Sequence, residues 1–159
     1  MSTIIEQRIA TLLGNLGLVP FFALAILSWL PWREEPALRV QFALVAYAAV
    51  ILSFLGAVHW GLALANPGLD KARSWNALGW GVIPSLLGWL ALLMLLLGIP
   101  AAVVLAFLIG DLLLVRVVDG QLVRLYASPV PAWYLALRTR LTIAAALCLL
   151  AALFAALPD

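Results

Sequence analysis

Long apolar runs, separated by short polar segments, dominate the pattern of hydrophobic and polar positions along the chain. Each run is bounded by charged residues, proline or glycine, and the runs predict helices at about 9–30, 41–65, 76–97, 101–118 and 132–157. A membrane-crossing helix needs about 20 apolar residues, whereas a transmembrane barrel strand needs about 10 and alternates between two faces. The pattern therefore predicts an all-α membrane protein, a bundle of five transmembrane helices in a single domain.

The composition strengthens this prediction. Of the 159 residues, 67% are hydrophobic and 10% are charged, whereas soluble domains have roughly 45–50% apolar and about 25% charged residues. We therefore expect the lipid bilayer to surround the chain. The single cysteine excludes a disulfide framework within the chain. The nine basic residues form no stripe, so nucleic acid is not an expected partner.

Basic residues are distributed unequally between the two predicted sides of the membrane. With five helices, the amino terminus shares one side with the segments at 66–75 and 116–140, which leaves Arg33 and Arg39 on the other side. The first side carries Arg8, Lys71, Arg73, Arg116, Arg124, Arg138 and Arg140. The positive-inside rule then predicts a cytoplasmic amino terminus and an external carboxyl terminus. The expected location is the inner membrane of the cell, or the mitochondrial inner membrane if the source is eukaryotic.

Several aromatic residues lie near the ends of the predicted helices. They are Trp29, Trp32, Trp75, Trp133 and Tyr134. Amphipathic rings prefer the headgroup region of a bilayer. We therefore predict that these side chains are interfacial anchors.

Two ionisable residues stand out inside predicted helices, where a charge costs about 2.5–3.5 kcal/mol on insertion scales. His59 precedes the end of the second run, and Asp111 precedes Arg116, by spacings that place both about 8–9 Å inside the same membrane edge. Asn15 reaches a similar depth, and Arg138 enters the fifth helix from that side. We predict a ligand or proton site formed by His59, Asp111 and Asn15 and closed by Arg138.

Each member of this predicted cluster also has a structural interpretation. Asp111 could neutralise Arg138 or Arg116 and so hold two helices in register. His59 could hydrogen-bond a carbonyl group or Asp111 inside the bundle. A polar residue such as Asn15 commonly links neighbouring membrane helices.

Trp60 and Ser85 are further candidates for the site. Trp60 follows His59 and lies deeper than the predicted anchors, so it lines an apolar pocket or fills the core. Ser85 lies between Gly81 and Gly88 on one helix face, where small residues allow another backbone to approach closely.

Motifs for metal or cofactor chemistry are absent from the sequence. One histidine and one cysteine cannot supply a bis-histidine haem, a copper site or a zinc triad, and neither H-E-x-x-H nor C-x-x-C occurs. No G-x-S-x-G elbow precedes a triad. We therefore predict no metal, no cofactor and no catalytic residue, and we disfavour an enzyme.

Four segments carry a resemblance to a known family. The run Tyr47–Gly61, with the string I-L-S-F-L-G-A-V-H-W-G, and the run Trp80–Trp89 are similar to the transmembrane protein sixty-nine family. The segments Leu16–Phe21 and Pro131–Thr142 and the residue Asp111 also match, although Ala57 replaces a glycine that is usual there. The resemblance covers nearly the whole chain and implies a polytopic inner-membrane protein whose activity is unassigned.

The leading functional hypothesis is a non-enzymatic membrane protein that binds an apolar small molecule or a lipid. This hypothesis also includes a protein that is an accessory subunit of a membrane complex or that forms a homo-oligomer. The alternative is a small proton-coupled transporter that uses His59 and Asp111. An intramembrane enzyme is a third and weaker hypothesis.

Overall fold

The fold was obtained as a computed structural model that describes residues 2–31, 33–122 and 130–157. All regular secondary structure in these ranges is helical, in the order α1 (Ser2–Leu27), α2 (Glu34–Leu64), α3 (Lys71–Leu96), α4 (Ala101–Leu122) and α5 (Ala132–Ala155). All five helices are long and apolar enough to cross a membrane. The predicted all-α bundle with five membrane-spanning helices is confirmed. Trp32 and Arg124, which entered the predictions of anchors and orientation, lie outside the described residues.

The helix ends differ from the predicted bounds because polar turns extend the helices beyond their apolar cores. Helices α1, α2 and α3 all begin several residues earlier than predicted. Glu34 and Glu35 lie in the first turn of α2, where carboxylates interact favourably with the helix dipole. Asp70 caps α3 by accepting a hydrogen bond from the backbone N–H of Arg73 at 2.8 Å. Helix α4 ends four residues later than predicted, at Leu122, and therefore includes Asp119.

The hydrophobic core lies where α2, α4 and α5 meet. The second half of α1 packs against this core. Its fully buried members include Leu52, Leu108 and Leu149, and Phe21 joins them from α1. Large apolar side chains on the outer faces of all five helices are exposed. Outward-facing apolar side chains are what a helical bundle surrounded by lipid requires, since lipid tails are as apolar as leucine.

Helices α2 and α3 form the most extensive helix contact, and glycines make their close approach feasible. A Cβ atom added to Gly88 would lie 2.9 Å from the Cα atom of Ala49, and one added to Gly56 would collide with the Gly81 carbonyl group. Gly81 and Gly88 therefore lie on the contact face, as their spacing predicts. Ser85, between them in sequence, is half-buried.

Candidate functional site

Three ionisable side chains from three different helices meet inside the bundle. His59 on α2 donates a hydrogen bond through Nε2 to Oδ1 of Asp119 on α4, at 2.8 Å. Arg138 on α5 donates to the other carboxylate oxygen, Oδ2, and forms an ion pair with it. All three residues are buried. We call these residues the His–Asp–Arg cluster.

The His–Asp–Arg cluster differs from the predicted one in its carboxylate. His59 and Arg138 do share an acidic partner, but this partner is Asp119 and not Asp111. Because α4 continues to Leu122, Asp119 lies inside the helix at the depth of His59. The predicted fourth helix ends at about residue 118, so Asp119 falls just beyond it and is not among the predicted site residues.

Asp111 lies two helical turns from the cluster, about 12 Å along the axis of α4 from Asp119. It occupies the inward-facing stripe of α4 with Leu108 and Val115 and is 6% exposed. Its Oδ2 atom is buried without a hydrogen-bond partner in the described part of the chain. Asp111 is therefore a separate intramembrane carboxyl group.

Asn15 also has a different partner from the predicted one. Its side-chain oxygen accepts a hydrogen bond from Arg140 at 3.2 Å, which links α1 to α5. The residue before Arg140 on α5, Thr139, accepts a hydrogen bond through its hydroxyl oxygen from the Nε atom of Arg116 at 2.7 Å. Thr139 in turn donates to the carbonyl oxygen of Leu135. The Asn15–Arg140 bond is thus a contact between α1 and α5, and the Arg116–Thr139 bond is a contact between α4 and α5.

A cavity of 610 Å³ lies beside the cluster, between α1, α2 and α5. Most of its lining is aliphatic or aromatic, and α4 contributes Leu112 to it. The lining on α1 includes Leu13, Gly14, Gly17 and Phe21, that on α2 includes Ile51, Phe54 and Val58, and that on α5 includes Trp133, Tyr134, Leu137, Arg138, Leu141 and Thr142. The side chain of Arg138 belongs to both the cluster and the cavity wall.

The polar end of the cavity is formed by α5. Tyr134 lies one helical turn before Arg138, so its phenol and the guanidinium group belong to the same end of the cavity lining. The indole Nε1 atom of Trp133 is buried without a partner among the residues that the structure describes. Trp133 and Tyr134, which are predicted as interfacial anchors, also line the cavity. No sequence signal separates these two functions, because both place an aromatic residue near a helix end.

The remaining predicted site residues lie elsewhere. Trp60 is 45% exposed, and its Nε1 atom donates to the carbonyl oxygen of Leu78 on α3 at 2.9 Å. Its ring covers Gly81. Neither Trp60 nor Ser85 belongs to the lining of the 610 Å³ cavity. Among the described residues, no group of three or more histidine, cysteine or acidic side chains is arranged to hold a metal ion.

The fold and its interior define a polytopic helical membrane protein, with a buried ionic cluster beside an apolar cavity. Residues 6–154 match the family model described as "Protein of unknown function (DUF3429)", and the chain belongs to this family. It is 38% identical over 144 residues to Transmembrane protein 69 of Xenopus tropicalis. That alignment covers 91% of this chain and 53% of the relative, so the chain spans about half the length of the curated relative that it matches. No solved structure matches the chain.

Proposed function

We propose that this protein binds an apolar small molecule, or the hydrocarbon chain of a lipid, in the cavity between α1, α2 and α5. The observation that carries the proposal is the 610 Å³ volume with its predominantly apolar lining. Small-molecule sites typically occupy about 300–1,000 Å³ and combine apolar walls with a few polar groups. Here the polar groups are gathered at one end, around Arg138.

The surroundings of the cavity favour entry from the bilayer. Leu13 on α1 and Phe54 on α2 line the cavity and are 61% and 65% exposed, respectively. In a membrane, side chains exposed at this depth contact lipid. An apolar molecule could therefore pass between α1 and α2 without crossing an aqueous phase.

We assign the His–Asp–Arg cluster a structural role beside the cavity. Both oxygens of Asp119 are engaged, one by His59 and the other by Arg138. The cluster thus joins α2, α4 and α5 and fixes the side chain of Arg138 at the cavity wall. Buried ion pairs stabilise a fold weakly, but they specify one arrangement in some proteins.

Native mass spectrometry after mild extraction, with lipidomic identification of the released molecules, tests the proposal. A Gly17→Leu variant should lose the retained apolar molecule. The Cβ atom of Gly17 would have the Tyr47 hydroxyl at 4.0 Å as its nearest neighbour, so the new side chain fills the cavity without a clash at its base. The matched control is Gly110→Leu, at an exposed glycine of α4 with no atom within 4 Å of its Cβ position.

Two results would contradict the proposal. One is a wild-type protein that carries no small molecule after extraction and shows no thermal stabilisation by added lipids. The other is equal retention in the wild type, Gly17→Leu and Gly110→Leu, because a molecule held on the outer surface is indifferent to the filled cavity.

A proton-coupled transporter receives less support from the geometry. The alternative hypothesis pairs His59 with Asp111, whereas His59 bonds to Asp119 and Asp111 lies about 12 Å away along α4. We also propose, from the distribution of basic residues, that the amino terminus is cytoplasmic and that the membrane is the cell or mitochondrial inner membrane. A role as an accessory subunit or a homo-oligomer is compatible with an apolar binding site.

A further inference from the structure

Two arginines, one on α4 and one on α5, form no ion pair with an acidic side chain in the described part of the chain. Arg116 on α4 bonds to Thr139, and Arg140 on α5 bonds to Asn15 on α1, so both partners are neutral. Among the described residues, the ion pairs involve other basic groups: Arg39 with Glu35, Arg73 with Asp70, and Arg138 and His59 with Asp119. Within residues 2–31, 33–122 and 130–157, Arg116 and Arg140 are therefore cations without an acidic partner.

Both arginines lie within membrane-spanning helices. Arg116 precedes the end of α4 at Leu122 by six residues, and Arg140 follows the start of α5 at Ala132 by eight. These spacings place their Cα atoms about 9–12 Å from the helix ends. Arg140 is exposed and Arg116 is half-buried. Long basic side chains at such depths extend toward the headgroup region, where lipid phosphates lie.

We propose that this face, formed by α1, α4 and α5 around Arg116 and Arg140, binds the phosphate group of an anionic phospholipid. A guanidinium group forms paired hydrogen bonds with phosphate oxygens. Arg116 and Arg140 lie at the same level of the bundle, since Arg116 bonds to Thr139, the residue before Arg140 on α5. A lipid with a net negative charge offsets part of the positive charge of the two arginines, whereas a zwitterionic lipid brings its own cation.

A lipid is the source of phosphate that the depth favours. Free phosphate ions remain in water, while these arginines belong to helices that are long and apolar enough to cross a membrane. The site is separate from the cavity, because neither Arg116 nor Arg140 is among the residues that line it.

The test compares the thermal stability of the protein in neutral detergent with added dioleoyl phosphatidylglycerol, dioleoyl phosphatidylcholine or sodium phosphate. We expect phosphatidylglycerol to raise the Tm by about 3 °C more than phosphatidylcholine does. An Arg116→Gln/Arg140→Gln double variant should lose this difference. An Arg116→Lys/Arg140→Lys variant should keep most of it, because lysine also binds phosphate as a point charge. The matched control is Arg39→Gln, at a basic residue that already pairs with Glu35.

Each remaining outcome overturns the inference. Equal stabilisation by the two phospholipids would mean that the face does not select anionic lipid. An equal effect of sodium phosphate would point to a free anion. Loss of selectivity in Arg39→Gln, or its persistence in the double glutamine variant, would place the anion elsewhere on the surface. If the double glutamine variant fails to fold, the double lysine variant serves instead. Loss of the preference for phosphatidylglycerol in the folded lysine variant would then overturn the inference.

Discussion

The Nε2 atom of His59 lies 2.8 Å from Oδ1 of Asp119, although sixty residues separate them in the sequence. A carboxylate oxygen accepts hydrogen bonds, so Nε2 of the imidazole carries the proton in this contact. Both side chains are buried, and the second oxygen of Asp119 is held by Arg138. This one carboxylate therefore joins α2, α4 and α5 at that end of the bundle.

Asp119→Leu should destabilise the protein strongly. The substitution leaves Arg138 as a buried and uncompensated charge, and breaking one side of a buried ion pair typically costs about 3–5 kcal/mol. The measurement is thermal or denaturant unfolding in detergent. Adding Arg138→Met should restore part of the loss, because a buried pair is well replaced by apolar residues of similar volume. Wild-type stability in the single variant would contradict the structural role of Asp119.

Asp111→Leu is the matched substitution on the same face of α4, and it should stabilise the protein. The Oδ2 atom of Asp111 is buried without a partner in the described residues, and an unsatisfied buried polar group costs about 1–3 kcal/mol. Leucine has the same number of side-chain heavy atoms and no polar atom. Unfolding under the same conditions as for Asp119→Leu should give a shift of opposite sign. A lower Tm for Asp111→Leu would show that the carboxyl group contributes to the fold.

Gly88→Ala should weaken the contact between α2 and α3 by about 1–3 kcal/mol. The added Cβ atom would lie 2.9 Å from the Cα atom of Ala49 and 3.0 Å from its carbonyl oxygen, so the two helices must separate. Gly61→Ala is the control, because no atom lies within 4 Å of its Cβ position. Alanine there should be neutral or stabilising, since glycine disfavours the helix interior by about 0.5–1 kcal/mol. Similar Tm changes for both variants would contradict the close approach.

Tyr47→Phe should loosen the attachment of α1. The Tyr47 hydroxyl donates to the carbonyl oxygen of Gly17 at 2.8 Å, and the ring contacts Phe21 edge to face with centroids 5.0 Å apart. Phenylalanine keeps the ring contact and removes the hydrogen bond, at an expected cost of about 0.5–1.5 kcal/mol. Ser53→Ala removes a bond within α2 and should change stability less. Limited proteolysis of the amino-terminal helix together with Tm measurements distinguishes the two variants.

The predicted orientation is tested by cysteine labelling in sealed vesicles of known sidedness. Cys148 is buried and is first replaced by serine. In that background, Gly68→Cys and Glu34→Cys introduce thiols at exposed positions at opposite ends of α2. An impermeant maleimide should label position 68 from the cytoplasmic side and position 34 from the outside. The reverse pattern would refute the positive-inside assignment.

Much of the fold was predictable because lipid imposes a simple constraint on sequence. Every backbone polar group in the hydrocarbon region must be satisfied, so long apolar runs become helices. The spacing of Gly81 and Gly88 predicts a face on which helices pack closely, because glycines leave room for the backbone of a neighbouring helix. These features depend on local composition and spacing, which one sequence contains.

The composition of the site was less predictable because it depends on where helices end. Asp119 lies beyond the predicted end of the fourth helix at about residue 118, yet α4 continues for three residues beyond Asp119. That extension brings Asp119, and not Asp111, to the level of His59. The cavity depends on the angles at which α1, α2 and α5 pack, and periodicity along one chain contains no information about them. Trp133 and Tyr134 were therefore assigned to the membrane surface.

The exposed flanks of the cavity, Leu13 and Phe54, affect how occupancy should be quantified. Binding of a molecule that arrives through the bilayer depends on the mole fraction of that molecule in the lipid. Its aqueous concentration affects binding only because it sets how much of the molecule partitions into the lipid. Apparent dissociation constants should then change with the lipid-to-protein ratio at fixed total ligand. Two reconstitutions that differ tenfold in lipid would report different affinities in molar units and the same affinity in mole fraction.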